Sequence, residues 1–228
     1  MSTTAPHTAP PTDARLSRRQ QPNPPKRAGA QARVDAILDA ADALVASRPL
    51  ETVSLPLIAQ AAGAPPSSLY HFFPSTEAVL IALVRRYNDK LDSLLEETLQ
   101  VIPPDSWQAM LRVLTARARA FHDQHPVYTR LILRTAAFSS LRQTDDEHIT
   151  QMGRRMLQVL NAHFHMPDAP DLDLRLSVAI ALSDRIWALF PDSDGMISDF
   201  SFEESQRAMI AYLSNYLPPL MAPREAAK

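Results

Sequence analysis

The chain has 228 residues, 46% of them hydrophobic, enough to bury a substantial core as one domain or as a small domain joined to a larger one. It has no Cys, which excludes disulfide scaffolds, thiolate metal sites and Cys nucleophiles, and only four Gly beside abundant Ala and Leu, which favours helices over a turn-rich β architecture. The net charge of −2 hides an asymmetry, because residues 1–90 hold ten Lys/Arg against seven Asp/Glu and residues 91–228 hold thirteen against eighteen. An all-α protein is expected, and a nucleic-acid partner would meet its N-terminal part.

No stretch reaches the roughly 18 consecutive apolar residues of a membrane span, and the N-terminus lacks the apolar run of a secretory signal, so a cytoplasmic protein with no membrane contact is expected. Residues 1 to about 30 hold six Pro among Ser, Thr and Gln and cannot support a core. They are expected to form a disordered arm. Its Arg15, Arg18, Arg19, Lys26 and Arg27 face a single acid, Asp13, which suits either a solubilising tail or an arm that follows phosphates.

From Arg33 the apolar residues Val34, Ile37, Leu38, Ala41, Leu44 and Val45 recur at helical spacing, and the pattern stops before Pro49. Ser54 then precedes a helix of about two turns that ends at Gly63. Pro65-Pro66 forbids its continuation, while Pro66 suits the first turn of a new short helix running to Phe73. Two short helices joined by a Gly-containing turn make a helix-turn-helix. Ser75 can cap a long helix whose stripe of Leu80, Val84, Tyr87, Leu91 and Leu94 runs to about Gln100.

Five further helical patterns follow, over roughly 105–124, 127–141, 145–165, 171–190 and 202–217. The fourth is apolar around most of its circumference and is expected to be buried on both sides. For the last, Ser201-x-x-Glu204 reads as a capping box.

The stretch "TVSLPLIAQAAGAPPSSLYHFFPSTEAVL" resembles the TetR family of bacterial transcriptional regulators, with counterparts of its Ile-Ala-x-x-Ala-Gly turn, its Leu-Tyr-x-x-Phe and its Pro-Ser-x-Glu-Ala. The similarity is specific over about residues 31–80; beyond residue 100 only the helical layout agrees. The resemblance implies a homodimer with two DNA-reading heads, a small-molecule effector, and last two helices that pair across the dimer. On that basis residues 31–76 are the helix-turn-helix domain, a linking helix runs to about 100, and residues 101–228 form the effector-binding and dimerisation domain.

Carried over by position, Ser54 opens the support helix and Ser67, Ser68, Tyr70 and His71 lie on the recognition helix. Ser67 and His71, four residues apart, share a face opposite Leu69, Phe72 and Phe73, so they are assigned to base edges, with Ser68 and Tyr70 near phosphates. Thr76 stands where the family commonly has a Lys that reaches a phosphate, and no Lys or Arg occurs between Arg48 and Arg85. The missing positive charge points to the segment from Arg15 to Arg33, with Arg27 and Arg33 as DNA contacts.

Beyond residue 100, Trp107, Phe121, His122, Tyr128, Arg134, Phe138, Met152, Met156 and Trp187 are candidates to line an effector cavity suited to an apolar or aromatic compound. Ile180, Leu182, Ile186, Met209, Leu213, Tyr216 and Leu217 are candidates for the dimer interface. His122 with His125 and His163 with His165 lack an acidic partner at ligand spacing, so no metal and no cofactor is expected. Asp145-Asp146-Glu147 reads as a solvated loop or helix start. No GxSxG, phosphate-loop, dinucleotide or HExxH motif is present, and an enzyme is not expected.

The reading is a DNA-binding regulator acting on a palindromic double-stranded operator, a repressor released by a small effector. The alternative is a dimeric ligand-binding protein whose reading head has lost DNA affinity. Deleting residues 1–27 and titrating DNA binding at several salt concentrations tests the arm. The expected result is weaker binding and a shallower salt dependence, by about 0.9 in log–log slope for each phosphate that the shortened chain no longer neutralises; an unchanged slope removes the arm from the interface.

Overall fold

The computed structural model describes residues 28–101, 105–133 and 139–224. The N-terminal arm with Arg27, and the effector candidates Arg134 and Phe138, lie outside the described residues.

The described chain is helical: α1 (Ala28–Ser47), α2 (Leu55–Ala61), α3 (Pro66–Phe72), α4 (Thr76–Val101), α5 (Trp107–Gln124), α6 (Pro126–Leu133), α7 (Ser139–His163), α8 (Leu172–Leu189) and α9 (Asp199–Leu213). A single 3-10 turn, Leu50–Thr52, joins α1 to α2 and buries Leu50. Helix α1 already includes Ala28–Ala30, ahead of the expected start at Arg33 and inside the stretch expected to be an arm. Helix α7 already includes Ser139, ahead of its expected start at 145. The cap of α9 is Ser198, whose Oγ accepts from the Ser201 N–H; Ser201 is fully buried and does not open the helix.

Two apolar cores organise the helices. The first joins α1, α2, α3 and α4 and continues into Phe121, Val127, Tyr128, Leu131 and Leu141. Leu69, Phe72 and Phe73 point α3 into it, each burial contributing about 1.5–3 kcal/mol. The second core holds Trp107, Leu114, Leu160, Phe164, Leu176, Met209 and Leu213. Trp107 is sealed there by an Nε1–H bond to the Pro218 carbonyl at 2.9 Å, so it is a packing residue.

Local chemistry sets the head. Gly63 has φ +59°, a left-handed conformation that closes α2 with N–H bonds from Gly63 to the Gln60 carbonyl and from Ala64 to the Ala59 carbonyl. Ser75 Oγ accepts from the Ala78 N–H at 3.1 Å and starts α4 as expected. Arg86 reaches Asp39 and the Tyr87 hydroxyl donates to Asp42, both at 2.6 Å, fastening α4 to α1. Arg130 Nη1 donates to the Val45 carbonyl at 2.7 Å and fastens α6 to the end of α1.

Within the single chain, α8 is buried on one side. One face packs against α7 and α9, while Leu174, Val178, Leu182 and Leu189 lie on the surface of the single chain, and Phe190 and Phe200 are 49% and 60% exposed. Of the expected interface residues, Leu182 is exposed and Ile186 and Tyr216 are half-buried. Ile180, Met209, Leu213 and Leu217 belong instead to the subunit's own core, because the first three fall on inward faces of α8 and α9 and Leu217 packs inward from the turn after α9.

Helices α7 and α8 meet at Gly153. A Cβ there would lie 2.6 Å from the Asp173 carbonyl oxygen and 2.8 Å from the Ser177 nitrogen, both backbone atoms that cannot step aside. Gly153→Ala is expected to lower stability by about 1–3 kcal/mol, despite the roughly 1 kcal/mol gain in helix propensity. Chemical denaturation checks this against Gly29→Ala, where the added Cβ meets nothing within 4 Å and no loss is expected. A Gly153→Ala variant as stable as wild type would show that α7 and α8 can separate freely.

Candidate nucleic-acid interface and ligand cavity

Helix α3 is amphipathic in the sense its sequence predicts. Leu69 and Phe72 are buried, while Ser67, Tyr70 and His71 are exposed and Ser68 is half-buried. Tyr70 is 52% exposed, so its ring is free for contact rather than committed to packing. The His71 ring stands edge-on to Phe72 at 5.2 Å, which limits its sweep. Arg33 lies exposed on α1.

Two predicted contacts sit differently. The Ser54 hydroxyl makes no capping bond to α2; the Thr76 hydroxyl does, accepting the Leu55 N–H at 3.1 Å. Thr76 therefore joins the first turn of α4 to the first turn of α2. Its oxygen satisfies one of the amides that a helix start leaves open.

Behind the head, a narrow cavity with about 610 Å³ of empty space, its open mouth included, is walled by five helices and touched by a sixth. Leu91 and Leu95 come from α4, Leu114, Thr115, Ala118 and His122 from α5, and Tyr128 and Ile132 from α6. Asp145, His148, Ile149, Met152 and Met156 come from α7, Ile180, Ser183, Asp184 and Trp187 from α8, and Met209 from α9. Of the predicted effector residues, His122, Tyr128, Met152, Met156 and Trp187 are brought together here. Trp107 lies in the second core, and Phe121 packs on Tyr87, His125 and Tyr128.

The polar groups of the wall divide into committed and uncommitted ones. The Thr129 hydroxyl donates to the His122 carbonyl at 2.8 Å, so it accepts from His122 Nδ1–H at 3.0 Å, leaving Nε2 unprotonated. Burial, helped by His125, pushes the His122 pKa down to about 3, so the ring is neutral. The Tyr128 hydroxyl donates to Asn88 Oδ1 at 2.8 Å, and Trp187 Nε1–H donates to Ser205 Oγ at 2.9 Å. His148 Nε2 meets Asp92 at 3.1 Å, and Arg155 pairs with the other Asp92 oxygen. Burial opposes ionisation of Asp92, but His148 and Arg155 outweigh it and hold its pKa below the usual carboxylate value.

Three polar residues at the other end were not anticipated. Ser183, 3% exposed, has no hydrogen-bond partner for its Oγ. Asp145 is not in a solvated loop but on α7, where burial raises its pKa to about 6, with His148 opposing and Asp146 adding to the shift. Burial, and then the charge of Asp145, pushes Asp184 well above the carboxylate range. Both keep part of their surface open, because they border the cavity and also a wider outer crevice lined by Leu133, Leu141, Arg142, Asp146, Ala181, Arg185 and Ala188. Ser183-Asp184 interrupts the apolar run of α8, and that was the readable signal; nothing in the sequence singled out Asp145 among its acidic neighbours.

Residues 37–83 match the family model described as bacterial regulatory proteins, tetR family. No curated protein matches the chain. Among solved structures, a TetR-family transcriptional regulator from Streptomyces coelicolor is 23% identical with a TM-score of 0.63, covering 81% of this chain and 99% of that one. A TetR transcriptional regulator from Rhodococcus sp. RHA1 is 22% identical with a TM-score of 0.58, over 82% and 98%. RolR, solved in complex with the ligand resorcinol, is 16% identical with a TM-score of 0.60, over 80% and 88%. The head thus matches the tetR family model in sequence, and the described helices share the fold of these solved regulators.

Proposed function

We propose that this protein is a transcriptional repressor that reads a palindromic operator as a homodimer and releases it when a small compound with an apolar body fills the cavity. One observation carries the reading: α4 is fastened to the reading head at its first turn through Thr76 and lines the cavity in its middle through Leu91 and Leu95. A ligand that displaces α4 displaces α3 with it. Exposed Ser67, Tyr70 and His71 supply the polar surface for base edges and phosphates, with Ser68 beside them.

The exposed apolar line Leu174, Val178 and Leu182, with Leu189, Phe190 and Phe200 near the α8–α9 junction, supports a two-fold contact with a second copy. Two heads held by one interface would meet successive major grooves about 34 Å apart. Ligand binding would then select between head spacings that do and do not fit, and only a difference in ligand affinity between those spacings produces regulation. That RolR is solved with resorcinol supports a small aromatic body for the ligand.

A further link runs from the cavity to the head. Tyr128, in the wall, packs at 5.3 Å on Tyr87, whose hydroxyl holds Asp42 of α1. Tyr87→Phe is expected to leave ligand affinity unchanged and to reduce its effect on DNA affinity.

Binding of DNA from upstream of the protein's own gene, measured by gel shift at low salt, tests the function. His71→Ala is expected to cost about 1–3 kcal/mol of specific binding while non-specific binding persists. A confirmed dimer that shifts no such DNA would favour the ligand-binding protein without a working head.

A further inference from the structure

The lining of the cavity is unbalanced in charge. Asp145 and Asp184 face it from α7 and α8, and none of the described residues that line it is a Lys or Arg. Among the described residues neither carboxylate is in an ion pair. The nearest imidazole, His148, is already engaged with Asp92, and His122 is neutral. Arg142 and Arg185 line only the outer crevice, beside Asp146. A second observation marks this end as a binding surface: Ser183 Oγ, next to Asp184, is buried against the cavity with no partner at all.

Such an arrangement is costly by itself. Two crowded carboxyls cannot both ionise cheaply, and burial raises the pKa of both, so ionising the pair without a neutralising partner is unfavourable. A fixed positive charge on a ligand would offset that cost. The remaining wall suits the rest of such a molecule: Leu114, Ile149 and Met152 are apolar, and the rings of His122, Tyr128 and Trp187 border the same cavity.

We infer that the effector is a hydrophobic organic cation, an aromatic or aliphatic body carrying a protonated or quaternary nitrogen that seats between Asp145 and Asp184, with Ser183 Oγ as an additional polar contact. The inference rests on the reading of this cavity as the effector site and names the chemical class it selects. The carboxylates border both the outer crevice and the inner cavity, so a cation entering through the crevice meets them first.

Calorimetry on the full-length protein with phenethylamine, phenethyl alcohol and phenylacetate separates charge from shape. The amine is expected to bind about tenfold tighter than the alcohol, as a charged hydrogen-bonded contact requires, with the acid weakest. Asp184→Asn and Asp145→Asn are each expected to weaken the amine about tenfold and to leave the alcohol unchanged, which also shows that the cavity is intact. Alcohol or acid binding as tightly as the amine overturns the cation inference while the effector cavity stands. If none of the three binds, the effector reading fails and this inference with it.

Discussion

Everything in this fold passes through α4, one helix that belongs to two structures at once. Its first half closes the core of the head with Val79, Leu80, Leu83 and Val84, and its second half walls the cavity with Leu91 and Leu95. A helix cannot bend easily where its backbone hydrogen bonds are intact, so movement at one end is transmitted to the other. The polar fastenings are placed accordingly. Arg86 and Tyr87 grip α1, Asn88 holds Tyr128 of α6, and Asp92 holds His148 and Arg155 of α7. Within two turns of α4, the head, the cavity wall and the body are all engaged.

That concentration sets what a ligand must do. The first core runs without a break from Leu69 on α3 to Leu141 on α7, so the head is not a loosely tethered module. Packed interiors respond by switching between arrangements rather than by stretching. The groups most ready to respond are those that the protein itself satisfies worst. Asp145, Asp184 and Ser183 are such groups, while His122, Tyr128 and Trp187 already commit their donors to protein partners. The destabilisation caused by the buried carboxyls is of a kind that binding sites retain and cores do not.

How much of this was legible follows from the physics of each element. The recognition helix was legible because its signals are local: Pro66 at its start, Gly63 in the turn before it, and a polar face opposite Leu69, Phe72 and Phe73. The interface faces of α8 and α9 were not. Apolar residues on a helix do not reveal whether they meet their own chain or another, so Met209 and Leu213 read as interface when the subunit needed them for itself. The cavity was half legible, since aromatic and Met residues announce bulk but not direction, and Trp107 and Phe121 point elsewhere. The acids were hidden because a run of three acidic residues ordinarily marks a solvated surface.

Thr76 gives the charge-poor head a structural reason. Ser54 leaves α2 without a side-chain cap, and an unmet amide at a partly buried helix start costs about 1–3 kcal/mol. Thr76 removes that cost by reaching across from α4, which a Lys could not do, because an ammonium has no oxygen with which to accept the Leu55 N–H. The position therefore serves to hold the support helix to α4, the joint through which, on the proposed mechanism, a ligand's effect would reach α3. On the proposed function, a head built this way has a firmer connection and less phosphate grip at the joint, which leaves phosphate contacts to positive charge elsewhere, such as exposed Arg33 on α1.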